Sequence, residues 1–164
     1  MSGVAVNGST IAPSTKPGYV TYNIETWQVI GSHCVETDEE GNCIAWQDDY
    51  GWVPSGSGST GAKITGYVSV PSSKMKIGGT NVAKVGDQTV ETWVADPPIP
   101  SNTSTTRYIP TSPTSGSGNG RIISGSSKAK LGGQPIALIG SQVTTCLGTT
   151  TTIANGNTKL NIPN

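Results

Sequence analysis

The chain of 164 residues has no phenylalanine, one histidine and two methionines, and only 12% of its residues are charged. Ordinary globular chains carry about twice that share of charge. Alanine, leucine, glutamate and lysine are all scarce, which excludes a helical bundle. No apolar run approaches the ~18 residues of a membrane-spanning helix. The first six residues, Met-Ser-Gly-Val-Ala-Val, carry neither a basic stretch nor a long apolar one. A secretory leader is therefore not expected, and synthesis in the cytoplasm is. The three cysteines are an odd number, and without a leader a disulfide framework is not expected either. Lysine and arginine are missing altogether from residues 17–62.

What remains is rich in turns and in strand formers. The chain has 22 glycines and 11 prolines. Between Gly, Ser and Pro clusters, Val, Ile, Thr, Tyr and Trp occur in short runs, the mark of many short strands. The expectation is an all-β, small, rigid, turn-rich single domain over residues 1–164.

The net charge of zero conceals a segregation. The stretch without bases holds Glu25, Glu36, Asp38, Glu39, Glu40, Asp48 and Asp49. From Lys63 onward, nine basic residues face only Asp87, Glu91 and Asp96. An acidic run of this kind is either a solvated loop beside a weakly basic body or a surface turned towards a partner. Nucleic acid is not expected as that partner, because the positive charge is dilute and the aromatics lie mostly in the acidic half.

An internal repeat organises the rest. Residues 72–88 align without a gap on residues 126–142, and Ser-Ser-Lys, the second Lys, Gly-Gly, Ala, Gly and Gln are shared. A weaker echo places residues 153–162 on residues 122–131. In each copy, Lys74 and Lys76 (or Lys128 and Lys130) alternate with Met75 and Ile77 (or Ala129 and Leu131), which is the period of a strand. The turn glycines Gly78, Gly79, Gly132 and Gly133 then permit positive φ and a hairpin. Return strands are expected over Val82-Ala83-Lys84-Val85 and Ile136-Ala137-Leu138-Ile139. Repeat one occupies residues 66–93, and residues 121–164 hold repeat two and a closing strand. Two further segments flank the copies. Residues 17–61 form an acidic, aromatic insertion with an expected hairpin turning at Asp38-Glu39-Glu40-Gly41-Asn42, with residues 55–61 as a flexible link. Residues 96–120 are rich in Pro, Ser, Thr and Gly and read as an extended loop.

The repeat, with Asn81-Val82-Ala83-Lys84 followed by Gly86-Asp87, and Pro135-Ile136-Ala137-Leu138 followed by Gly140-Ser141, resembles the PAAR-repeat proteins. Thr144-Thr145-Cys146-Leu147-Gly148 is similar to that family's cysteine-bearing element. The resemblance covers under half of the chain. It implies a small conical β structure of repeated hairpins with pseudo-threefold symmetry, plus an inserted β-hairpin region. It implies a structural tip that caps and sharpens the trimeric β-helical spike of a contractile phage tail, type VI secretion or related injection system, one copy per trimer. Such a tip helps pierce the target cell envelope and is a virion or particle component, with neighbouring baseplate proteins or the tape measure as further contacts. Which residues touch the spike is unknown. The chain ends soon after its last repeat strand, which is the expectation for a tip without an appended effector domain.

The sites are few. His33, Cys34, Cys43 and Cys146 make up a Cys₃His set of a kind that suits one structural Zn or Fe ion. Cys146 falls where the resemblance places a metal-binding cysteine. Alternatively, Cys34 and Cys43 form a cross-strand pair, or the three thiols are unrelated. No catalytic residue is expected: the one histidine has no triad motif, and the acids of a Gly-flanked turn are ordinarily solvated. Gly56 to Lys63 fails the phosphate-loop pattern, because Ala62 separates the Gly from the Lys. The tryptophans and tyrosines Trp27, Trp46, Trp52, Tyr19, Tyr22 and Tyr50 either build the insertion's core or form a sugar-binding platform. The latter would make the chain an adhesin or carbohydrate-binding tail component.

Overall fold

A computed structural model describes residues 2–163. Among them there is no helix, and strands take up 64% of the chain. In chain order the strands are β1 (Ser2–Val4), β2 (Ser14–Thr37), β3 (Cys43–Ser69), β4 (Lys76–Ile77), β5 (Thr80–Asn81), β6 (Gln88–Asp96), β7 (Thr106–Pro110), β8 (Ser115–Ile122), β9 (Lys130–Leu131), β10 (Gln134–Pro135), β11 (Gln142–Thr144), β12 (Thr150–Thr152) and β13 (Asn157–Ile162). Seven of them form one curled antiparallel sheet in the order β12-β11-β8-β6-β3-β2-β7. The other six pair off as β4·β5, β9·β10 and β1·β13.

The two Gly-Gly turns form as the period-two pattern requires. Gly78 and Gly79 have φ of 59° and 80°, and Gly132 and Gly133 have 62° and 85°. Each hairpin is shorter than expected, with only two residue pairs: Ile77 with Thr80 and Lys76 with Asn81, and Leu131 with Gln134 and Lys130 with Pro135. The expected return strands leave their own hairpins. Lys84 bridges to Ile136, Leu138 to Val4, and Val6 to Val82.

Those bridges surround a closed circuit of backbone hydrogen bonds. The Ala5 amide donates to the Ala137 carbonyl at 2.9 Å, Ala137 to Ala83 at 3.0 Å, and Ala83 to Ala5 at 2.9 Å. All three alanines are fully buried. Each directly precedes a comparable turn, whose capping side chain lies four residues on. Ser9 Oγ accepts from the Val6 amide at 2.9 Å, Asp87 Oδ2 from Lys84 at 2.9 Å, and Ser141 Oγ from Leu138 at 2.8 Å. Residues 4–9 thus repeat the bonding of residues 82–87 and 136–141. The partner strand of residues 4–9 is β13, at the far end of the chain: Ser2 pairs with Ile162 and Gly3 with Asn161.

The core lies on both sides of this circuit. Ala5, Ala83 and Ala137 pack with Ile11, Val68, Val70, Ile122, Val143 and Ile153. Val4, Val82, Ile136, Leu138 and Ile162 form a second cluster against the hairpins. A third, of Val20, Ala62, Ile64, Trp93 and Ala95, lines the sheet. Strand β6 feeds it by strict alternation, with Thr89, Glu91, Trp93 and Ala95 inward and the residues between them exposed.

Two expectations about the connecting segments are corrected. Residues 55–61 are not a flexible link. They lie in β3, paired with β2, and their small side chains make room for neighbours. A Cβ on Gly58 would sit 2.6 Å from the Tyr22 ring, so the glycine is what lets that ring lie flat across the strand. Residues 96–120 are not loop throughout, since β7 pairs with β2 and β8 with β6.

Candidate functional site

Strands β2 and β3 are much longer than the sheet that holds them. Strand β7 covers β2 only as far as Thr26, and β6 covers β3 only from Gly61. A backbone bond from the Trp27 amide to Thr105 closes the root. Beyond it, residues 27–53 form a two-stranded ribbon whose outer edges have no strand beside them among the described residues. We call this ribbon the arm.

Its tip is fixed locally by Asp38. Asp38 Oδ1 accepts from the amides of Glu40 and Asn42, both at 2.9 Å. These bonds, led by that from Asn42, hold the Asp38 carboxyl below its ordinary range. Just behind the turn, Cys34 and Cys43 are joined in a disulfide, with Cα atoms 5.8 Å apart. Of the alternatives for these thiols the structure has the cross-strand pair, with the two sulfurs bonded to each other and not open to a Cys₃His set. His33 is nearby, but its Nδ1 lies 2.7 Å from Asp49 Oδ1 and both side chains are exposed. Cys146 belongs to another region, packed against the cluster lining the sheet. Among the described residues, no three His, Cys, Asp or Glu side chains are grouped to hold a metal.

The arm's aromatics do not build an enclosed core. Trp27 and Trp52 are directly paired, as are Val29 and Tyr50, so these four share a face. Alternation along β3 puts Trp46 and Asp48 on that face as well. Trp27 stacks on Tyr50 with centroids 6.2 Å apart and meets Trp52 edge-on at 5.4 Å. Arg107 from β7 lies 4.5 Å over the Trp52 ring and bonds Glu25 Oε1 at 2.8 Å, anchoring the root. Towards the tip the aromatics are open: Trp46 is 64% exposed and Tyr50 52%.

Three bulges shape the arm. The register skips Ile30 between Val29 and Gly31, Val35 between Cys34 and Glu36, and Ile44 between the partners of Glu36 and Thr37. Each skipped residue is β-branched and apolar, and each is more than half exposed. A bulge re-aims its extra side chain, so the backbone irregularities of the arm present aliphatic groups to solvent.

A second unusual group lies in the sheet. Glu91 is fully buried. Its Oε2 accepts from the Thr89 hydroxyl, and its Oε1 accepts from the Cys146 amide at 2.6 Å. The Cys146 thiol is pushed up to about 11, first by desolvation and then by the hydrogen bond and charge of Glu91. A thiol held protonated is a poor nucleophile and a poor metal ligand. The sequence reading missed Glu91. Its only signal is its place in the inward row of β6, where an isolated glutamate is indistinguishable from an outward one until the register is known.

Comparison with protein-family models, with curated proteins and with solved structures finds no match to this chain.

Proposed function

We propose that this chain is the tip of a trimeric spike in a contractile injection machine, one copy seated on each trimer. The observation that carries the reading is the closed circuit through Ala5, Ala83 and Ala137. Three bridges, three side-chain-capped turns and three strand pairs surround it. We take this arrangement as a pseudo-threefold axis within one polypeptide. A single chain with such an axis offers three similar faces to the end of a homotrimer, so one copy matches all three subunits at once. The short hairpins and small residues suit a stiff cap over strand edges that would otherwise be open. In this reading the role is mechanical, no residue is catalytic, and the target envelope is met only in passing.

The test is co-expression with the trimeric spike protein encoded beside this chain, followed by native mass measurement. A complex of one copy per trimer is expected. Free protein beside intact trimer overturns the reading.

A second reading, an adhesin, is favoured by one observation: the open aromatic face of the arm at Trp46 and Tyr50. It expects binding to oligosaccharides in solution and a place on the periphery of the particle.

A further inference from the structure

The arm combines three properties that the tip role does not use. Its outer edges carry no neighbouring strand over residues 28–37 of β2 and 43–53 of β3, with bulges at Ile30, Val35 and Ile44. Unpaired edges are templates for another strand, and charges and bulges such as these restrict which strand can pair. Its bulges leave Ile30, Val35 and Ile44 each more than half exposed, with Ile30 lying over Gly51, in addition to the open Trp46 and Tyr50. Its charge has one sign: residues 27–53 hold Glu36, Asp38, Glu39, Glu40, Asp48 and Asp49 and no lysine or arginine. Among the described residues the only ion pair on the arm is that of Asp49 with His33, so the acids are not neutralised by the chain's own basic half.

We propose that the arm is a docking element for a cationic polypeptide, which adds to its edge as a further β-strand. Main-chain bonds to the edge would supply the geometry. The six acids would select a basic strand and speed its encounter. The bulged aliphatics and Trp46 would cover the apolar side chains of that strand. The charge also decides against other occupants. A second copy would bring an equally acidic arm against this one. Anionic lipid headgroups would be repelled. A sugar ring stacks on Trp46 and Tyr50 but leaves Ile30, Val35 and Ile44 uncovered. The disulfide behind the tip holds the edge in shape before the partner arrives, which lowers the ordering cost of docking.

The experiment uses the full chain, oxidised and isotopically labelled, titrated with a short synthetic peptide of alternating lysine and valine. Alternate amides of the peptide are N-methylated so that it has one bonding edge. The expected result is saturable binding, with amide shifts and slowed hydrogen exchange confined to residues 27–60. Affinity should fall roughly tenfold or more from low salt to 0.5 M salt, because exposed charges are screened. The triple variant Glu36→Gln, Asp48→Asn, Asp49→Asn should weaken binding by about tenfold, with the spectrum of the body unchanged as proof of folding. A matched glutamate–valine peptide should not bind. The proposal is overturned by failure of the lysine peptide to bind, by equal binding of the glutamate peptide, or by shifts without slowed exchange. It is also overturned if a gluco- or chito-oligosaccharide, and not the lysine peptide, moves the Trp46 and Tyr50 resonances.

Discussion

Glu91 is enclosed completely, yet hydrogen bonds from Thr89 and Cys146 hold it in place of a cation. The space for it is made by Gly120, where a Cβ would run into Glu91 Oε2 and would stand 2.5 Å from the Thr144 carbonyl and 2.6 Å from Thr89 Oγ1. Gly120→Ala should therefore cost about 3 kcal/mol or more, since it displaces a buried carboxylate from its donors. Calorimetry should show a thermal midpoint lower by roughly 10 °C. Gly31→Ala, with open space around the new methyl, should change it little. Cys146 supplies a second test. Its thiol titrates near 11 in the folded chain, against an ordinary value of 9.0. The folded state therefore holds a proton that the unfolded state releases. That contribution is fully present below pH 9 and is lost as pH rises through 11. Iodoacetamide should label Cys146 slowly in the native protein at pH 8 and quickly once it is unfolded. Cys146→Ala should flatten the loss of stability on the alkaline side. At this scale the turn glycines are legible from sequence, because Gly-Gly between alternating residues has few other uses. Glu91 is not legible, because its meaning depends on which face of β6 is inside.

A two-stranded ribbon alone in water is marginal, and the arm is one for most of its length beyond Thr26. Its persistence rests on the Trp27–Tyr50–Trp52 stack, the Asp38 turn and the Cys34–Cys43 bond. Reduction of that bond, or Cys34→Ser with Cys43→Ser, should speed hydrogen exchange in residues 30–47. The thermal midpoint of the body should stay where it is, because none of the three core clusters includes a residue of the arm. A large fall in that midpoint would show that the arm supports the body. The turn at residues 38–42 is readable from its Asp, Gly and Asn. The length of the strands on either side is not. Ser and Gly between residues 55 and 61 have the composition of a linker, and only the Tyr22 ring lying over Gly58 explains why they are in a sheet. The same applies to β8, where Gly116 lies against Trp93: a Cβ there would be 2.6 Å from the indole.

Across the whole molecule, the two aligned copies predict two of the three units around the alanine circuit. The third is hidden by its division. Its first strand is the expected echo at β13, but its second half is residues 2–9, at the other end of the sequence. The signal exists in Val4-Ala5-Val6-Asn7-Gly8-Ser9, which matches Ile136-Ala137-Leu138-Ile139-Gly140-Ser141 at Ala, Gly and Ser. A search for contiguous repeats passes over it. Deleting residues 157–163 should remove the partner of β1 and abolish the cooperative thermal transition, as followed by circular dichroism. Ala137→Leu, which forces a larger side chain into the centre of the circuit, should lower stability by about 1–3 kcal/mol.

The divided unit also sets the order of folding. The hairpins at Gly78-Gly79 and Gly132-Gly133 pair near neighbours in sequence, though each is stable only once packed on the core. The circuit needs Ala5, Ala83 and Ala137 together, and β1 has no strand to pair with until β13 exists. Contacts between such distant stretches are slow to form, because chain entropy is lost before they return any stabilisation. During synthesis the first strand therefore waits, without its partner, until residues 157–162 have left the ribosome. The alanine circuit locks in a single late step, and an interrupted chain has no partly closed circuit to fall back on.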